Sequence, residues 1–219
     1  MFYDLLPEVG HVMRVRTDRQ TWLSECRRQE TMIESEDIVT MSMSVGDRFP
    51  AMRVLSTDGE LDLANLWSSG PLVIAFHRMW CPFCQQAAIQ LSGAASELTR
   101  LGAVTVIVYR EDLNAVAAAC TERHTAAVCV SDAHRSLEDA VDLQRFKLLR
   151  YLAFSPRRLL AARHAGSKVL GMGTNVLQGR GTYVVGCDGR VVYVHEAKTA
   201  ADIPPVEEIV SAVRASILP

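Results

Sequence analysis

The sequence predicts a three-layer α/β fold with a central, partly parallel β-sheet covered by helices on both faces. Three observations predict it. Two continuous apolar runs, Leu72-Val-Ile-Ala-Phe76 and Val104-Thr-Val-Ile-Val108, suit strands buried on both faces. Helical periodicity fills the stretches between and after them, so strands alternate with helices. Near the C-terminus, Thr182-Tyr-Val-Val185 and Arg190-Val-Val-Tyr-Val194 flank Cys-Asp-Gly189, a strong antiparallel hairpin signal.

The remaining elements follow in chain order. Met52-Arg-Val-Leu55, Thr57-Asp-Gly59 and Leu61-Asp-Leu63 read as a small hairpin with a Gly turn. A helix is predicted over Cys81 to Arg100, with Ala88, Leu91, Ala95 and Leu98 at helical spacing and Gly102 as its stop. Asp112 to His124 is Ala-rich and helical, and Ala127-Val-Cys-Val130 is a third short strand. Leu137 to Leu143 reads as a short helix, and Arg145 to His164 as a longer one interrupted near Pro156. Val206 to Ile217 closes the chain as an amphipathic helix. Residues 1–44 differ in character and form an N-terminal extension, with residues 45–219 as the main domain. In the extension, Thr17-Asp18 caps a helix through about Glu34, with Trp22, Leu23, Cys26 and Met32 on its apolar side. It is expected to dock on the main domain or on a second subunit, as in a homodimer.

Composition narrows the function classes. The 219 residues, 49% apolar and 22% charged, are enough for one well-packed core. A formal charge of -2 gives no overall attraction to nucleic acid or to acidic membranes. No apolar run approaches the roughly 20 residues that span a bilayer. The N-terminus lacks the basic, apolar, small-residue order of a signal peptide, so a cytoplasmic, reducing location is expected. Six cysteines are too sparse for a disulfide scaffold, and Cys26, Cys120, Cys129 and Cys187 are expected to be packed thiols.

The chemistry concentrates in Arg78-Met-Trp-Cys-Pro-Phe-Cys84, at a predicted strand-to-helix junction. Haem attachment needs His after the second cysteine, and Gln85 stands there instead. A closed zinc site needs two further ligands at matched spacing, and Cys129 with His134 is only one loose pair; no metal is expected. Two ordinary buried thiols are the plain alternative. A cysteine opening a helix meets outward-pointing N–H groups and the positive end of the helix dipole, which lowers a thiol pKa and produces a reactive thiolate. Cys84 lies one turn on, close enough to close a disulfide. Cys81 is therefore read as the nucleophile and Cys84 as the resolving thiol, with Trp80 and Phe83 as an apolar wall and Pro82 suited to the first helical turn.

Phe76-His-Arg-Met-Trp-Cys-Pro-Phe-Cys84 resembles the FYRGxWCPxC segment of peroxiredoxin-like proteins in the alkyl hydroperoxide reductase/thiol-specific antioxidant (AhpC/TSA) superfamily. Val45-Gly-Asp-Arg-Phe-Pro50 and the stretch from Asp58-Gly59 to Leu66-Trp67 resemble that family's entry hairpin, and Val130-Ser-Asp132 through Ala140-Val141 its segment after the third strand. Leu177-Gln-Gly-Arg-Gly-Thr-Tyr-Val-Val185, Asp188-Gly-Arg-Val-Val-Tyr193 and Pro204-Pro-Val-Glu-Glu208 are similar to the peroxiredoxin-like 2 branch. The resemblance covers about residues 45–217. It implies a thioredoxin-like fold, thiol redox activity without a metal or organic cofactor, and recycling by a thioredoxin- or glutathione-type reductant.

Thioredoxin-type disulfide oxidoreductases carry a cis-proline before the strand facing C-x-x-C. No proline occurs here between Pro156 and Pro204, and the matching position reads Gly179-Arg-Gly181. Peroxiredoxins resemble this chain there, which implies that Arg180 holds a thiolate and binds peroxide. The plain alternative is a solvated loop charge. Typical peroxiredoxins place Thr or Ser three residues before the peroxidatic cysteine; this chain has Arg78, which supplies charge but no hydroxyl. His77 is a candidate acid/base, with a structural role as the alternative. Other readings of the same thiols are a protein dithiol–disulfide oxidoreductase, a redox sensor and a specialised biosynthetic enzyme.

Between Asp142 and Asp188 the sequence has no acidic residue but carries Arg145, Lys147, Arg150, Arg157, Arg158, Arg163, Lys168 and Arg180. As a functional element, residues 145–168 form a basic, apolar lip for an anionic lipid surface or a fatty-acid hydroperoxide. As a structural one, they form an amphipathic insert packed on the core, and this reading is preferred.

Overall fold

The computed structural model describes residues 43–147, 156–167 and 177–217. The predicted extension over 1–44 therefore lies outside the described residues except for its last two positions.

Among the described residues, seven strands form one mixed sheet in the order β2-β1-β5-β4-β3-β6-β7. β1 (Arg53–Ser56) and β2 (Gly59–Asp62) are the entry hairpin, turning where Gly59 adopts a positive φ of 117°. β3 (Leu72–His77), β4 (Val104–Tyr109) and β5 (Val128–Ser131) run parallel at the centre, in register from Leu72↔Val104 to His77↔Tyr109. β6 (Gly181–Val185) returns antiparallel along β3, and β7 (Val191–Glu196) pairs with β6.

Helices cover both faces. On one face, α1 (Leu63–Ser69) and α5 (Ser136–Ala140) pack Leu63, Trp67 and Leu137 onto Ile74, Phe76, Val106, Val108 and Tyr183. On the other, α2 (Pro82–Gly93), α3 (Ala95–Arg100) and α7 (Val206–Ser216) pack Leu91, Leu98, Ile209 and Val213 onto Val73, Ala75 and Val184. α4 (Leu113–Glu122) extends that second layer over Ile107 and Cys129. Every β3 residue is buried, as its unbroken apolar run requires. Each fully buried Leu, Ile or Phe contributes about 1.5–3 kcal/mol by removing apolar surface from water. The three-layer α/β fold with a mixed sheet is the predicted one.

Four local features differ from the sequence expectation. The helix over 81–100 is two helices, because the chain breaks at Ala94, whose N–H bonds the carbonyls of Gln90, Leu91 and Ser92. α1 was not predicted; the Asp62 carboxylate accepts from Ala64 N–H at 2.9 Å and starts a helix too short to show periodicity. The helix expected over 137–143 ends at Ala140, where Asp142 turns the backbone left-handed (φ 46°). Arg145–Lys147 is not helical: Phe146 N–H donates to Leu177 O at 2.7 Å, tying the two ends of the insert together. Within the insert, α6 (Pro156–His164) is helical, and residues 148–155 lie outside the described residues.

Candidate active site

β3 ends at His77, and the chain passes through Arg78-Met-Trp80 before α2 begins at Pro82. Cys81 is the N-cap residue, with extended backbone (φ −81°, ψ 119°). Pro82 follows at the first helical position, where its missing N–H would have had no intrahelical partner. The junction is held in place: Gln85 Nε2 and Arg123 Nη2 both donate to Met79 O, at 2.9 and 3.1 Å. Cys84 lies in the first turn of α2. Both thiols are free and buried, 3% and 2% exposed.

Arg180 comes to this turn from the strand beside β3. It immediately precedes β6, and its Nη1 lies 3.5 Å from Cys81 Sγ and 3.3 Å from Cys84 Sγ. Nη2 donates to Thr199 O at 2.8 Å and Ala200 O at 2.6 Å, so the guanidinium is gripped from behind, and it stacks 5.4 Å above the Phe146 ring. The flanking glycines permit this path. A Cβ on Gly179 would overlap the Gln144 carbonyl, and one on Gly181 would come within 3.0 Å of Tyr183. Every described peptide bond is trans.

The two sulfurs behave as one unit. The Cys81 thiol hydrogen-bonds Cys84, and that bond together with burial pushes Cys81 well above the ordinary thiol range. Burial alone would raise Cys84 too, but the hydrogen bond from Cys81 and the Arg180 charge hold it well below that range. The pair shares one proton between its sulfurs, and the Arg180 guanidinium favours one negative charge on it. His77 is pulled down to about 4, chiefly by burial and then by Arg180 and Arg78, so its imidazole is neutral near pH 7; its Nδ1 is buried without a hydrogen-bond partner.

A family model described as the AhpC/TSA family matches residues 45–194, most of the chain. The chain belongs to the AhpC/TSA family.

Solved structures agree on the fold. The AhpC/TSA chain superposes on the peroxidoxin BcpB of Mycobacterium tuberculosis with a TM-score of 0.60 at 20% identity, covering 79% of this chain and 97% of that one. Xanthomonas campestris peroxiredoxin Q matches with a TM-score of 0.56 at 18% identity, over 76% of this chain and 92% of that one. A peroxiredoxin-like protein from Aquifex aeolicus matches at 0.60 and 16%, over 81% and 90%. No curated protein matches the chain by sequence.

The other predicted site residues of this AhpC/TSA chain divide into two groups. Trp80 and Phe83 pack with both cysteines, Ala162 and Leu159 of α6, and Ala200, Ala201 and Ile203, forming an apolar cover over the thiols. Ser167 Oγ donates to Pro82 O at 2.7 Å and fastens the end of the insert to the start of α2. Arg78 turns away from the sulfurs. Its Nη2 is 2.7 Å from Glu138 Oε1, and it donates to His77 O at 2.9 Å and Gly179 O at 3.1 Å. The structure thus brings Cys81, Cys84, Arg180, His77, Trp80 and Phe83 together, and leaves Arg78 bracing the Gly179 turn that delivers Arg180.

Sequence reasoning missed Glu138, Thr182, His195 and Asp202. The hairpin pairing carried a signal for two of them. Ala75 pairs with Thr182, and Thr182 with His195, so their side chains and that of His77 share the sheet face beneath α2.

One cysteine expectation is corrected. Cys120 and Cys129 are bonded (S–S 2.10 Å), because the loop after α4 folds the last helical turn back onto β5. Cys129 is therefore unavailable as the zinc ligand weighed with His134. Cys187 is disulfide-bonded as well, and Cys26 lies outside the described residues. No described helix is long and apolar enough to cross a membrane.

Proposed function

We propose that this protein is a thiol peroxidase that reduces hydrogen peroxide or a small organic hydroperoxide with the Cys81–Cys84 pair and is recycled by a thioredoxin- or glutathione-type dithiol. The observation that carries this reading is Arg180, 3.3 Å and 3.5 Å from the two sulfurs. By the resemblance to peroxiredoxins, it stands where thioredoxin-type disulfide oxidoreductases instead carry a proline that shapes a polypeptide groove. A fixed guanidinium stabilises a thiolate and the oxygen charge that develops as an O–O bond breaks.

The cycle balances with no metal or organic cofactor. One sulfur, as thiolate, attacks the terminal oxygen of ROOH; the S–O bond forms, the O–O bond breaks, and the hydroperoxide proton leaves with RO as ROH. The second thiol protonates the sulfenate and attacks its sulfur, forming the disulfide and releasing hydroxide. The sequence reading assigns attack to Cys81 and resolution to Cys84. A bacterioferritin comigratory protein of Xanthomonas campestris that shares this fold, at 17% identity, has alkyl peroxide reduction activity, which supports the same substrate class.

The test is peroxide consumption coupled to thioredoxin, thioredoxin reductase and NADPH, alongside insulin reduction. Peroxide-dependent NADPH oxidation that is lost in the double Cys81→Ser/Cys84→Ser protein upholds the proposal. Reduction of insulin without consumption of peroxide overturns it in favour of a dithiol–disulfide oxidoreductase.

A further inference from the structure

A small cavity opens beside Cys84, between the first turn of α2 and the sheet face carrying His77, Thr182 and His195. It offers about 10 Å³ to the centre of a water-sized sphere, room for roughly one hydroxyl-sized group. Phe76, Ala87, Ala197, Ile203 and Pro204 wall it with carbon, while Arg180, His77 and Thr182 supply polar groups. Cys84 lines it and Cys81 does not. The His195–Asp202 pair, 3.3 Å apart and 22% and 27% exposed, also lines it.

The other observation is independent of the cavity's shape. His77 is 4% exposed, and its Nδ1 has no hydrogen-bond partner. A buried, neutral, unpaired imidazole nitrogen on a cavity wall costs free energy unless something polar visits it.

We propose that this cavity receives the terminal –OH of a hydroperoxide, that Cys84 is the sulfur that attacks it, and that Thr182 and His77 position it. This inference rests on the peroxidase reading and reverses the order of the cysteines given by the sequence. Arg180 faces both sulfurs and so stands beside the O–O bond. Thr182 supplies the hydroxyl that the Arg78 position lacks. In the balanced cycle, the Cys84 thiolate takes the terminal oxygen, the hydroperoxide proton leaves with ROH, and the Cys81 thiol then condenses with the Cys84 sulfenate, releasing hydroxide. Reduction of the disulfide by an external dithiol begins at Cys81, which caps the helix. Because the cavity admits only the –OH end, hydrogen peroxide reacts faster than hydroperoxides with a branched carbon next to oxygen.

The test uses the full chain, reduced, as wild type, Cys81→Ser, Cys84→Ser and Thr182→Val. Each is mixed with hydrogen peroxide or cumene hydroperoxide, sulfenic acid is trapped with dimedone, and the adducts are located by mass spectrometry. The expected result is a Cys84 adduct in Cys81→Ser, and at least a hundredfold slower oxidation of Cys81 in Cys84→Ser. Thr182→Val is expected to slow peroxide oxidation tenfold or more while iodoacetamide alkylation of Cys84 keeps its rate, which separates positioning of the peroxide from damage to the thiolate. Cumene hydroperoxide is expected to react at least tenfold more slowly than hydrogen peroxide. Oxidation of Cys81 at the wild-type rate in Cys84→Ser, an unchanged rate in Thr182→Val, or equal rates for the two peroxides overturns the proposal. If peroxide oxidises no variant, the peroxidase reading itself falls. Substoichiometric alkylation then still decides the placement of the charge, labelling of Cys84 first upholding it and labelling of Cys81 first overturning it.

Discussion

Arg180 Nη1 lies 3.3 Å from Cys84 Sγ, although the two residues are 96 positions apart in the chain. That contact exists because β6 returns antiparallel beside β3, bringing the residue just before β6 to the point where β3 hands over to α2. Removing the guanidinium by Arg180→Met takes away the charge that opposes burial at Cys84. The thiolate absorbance near 240 nm should then titrate upward, toward the ordinary thiol value of about 8.5. Oxidation by peroxide at pH 7 should slow by about 10²–10³-fold, the scale seen when one donor to a developing oxyanion is lost. An unshifted titration would show that Arg180 does not hold the charge.

The Arg78–Glu138 ion pair is buried on both sides, 4% and 0% exposed. Arg78→Met leaves the Glu138 carboxylate without its main partner, and such a change typically costs about 3–5 kcal/mol. Urea denaturation should show that loss. Replacing both residues, Arg78→Met with Glu138→Leu, should recover most of it, because no charge is then buried unpaired.

His77 makes the fold sensitive to acid. Its folded value, about 4, lies below the 6.5 of an exposed histidine, so between those values the unfolded chain binds the proton more readily. Stability from this group is complete above about pH 6.5, declines as pH falls toward about 4, and changes no further below that. The whole window corresponds to roughly 3 kcal/mol. In His77→Gln, the slope of unfolding free energy against pH over this window should flatten; an unchanged slope would place the effect on other groups.

The Cys120–Cys129 bond closes a short loop between α4 and β5. The double change Cys120→Ser/Cys129→Ser should cost about 2–3 kcal/mol by restoring freedom to the unfolded chain. Calorimetry should record Tm lower by roughly 5–10 °C. Peroxide reduction should persist, since neither residue lines the cavity beside Cys84.

Much of this arrangement is legible in the sequence because it is local. The apolar runs of β3 and β4, the Cys-Asp-Gly turn and the position of Cys81 before Pro82 are each visible within a few residues. Arg180 was reachable by noticing where a proline was missing. What was not legible depends on registers and partners distant in the chain. The alignment of His77, Thr182 and His195 on one face needs the pairing Ala75↔Thr182↔His195. The role of Arg78 depends on Glu138, sixty residues downstream, and Cys120 and Cys129 meet only because the intervening turn reverses direction. α1 was invisible because seven residues show no period, and only the Asp62 cap marked its start.

The most direct measurement of the central claim is stopped-flow mixing of the reduced protein with hydrogen peroxide, followed by the fluorescence of Trp80 beside Cys81 and by quenched thiol counts. The account predicts a first phase whose rate rises linearly with peroxide, then a phase independent of peroxide as the Cys81–Cys84 disulfide closes, with one disulfide formed per peroxide consumed. A pair that stays reduced in millimolar peroxide while it reduces protein disulfides would contradict it.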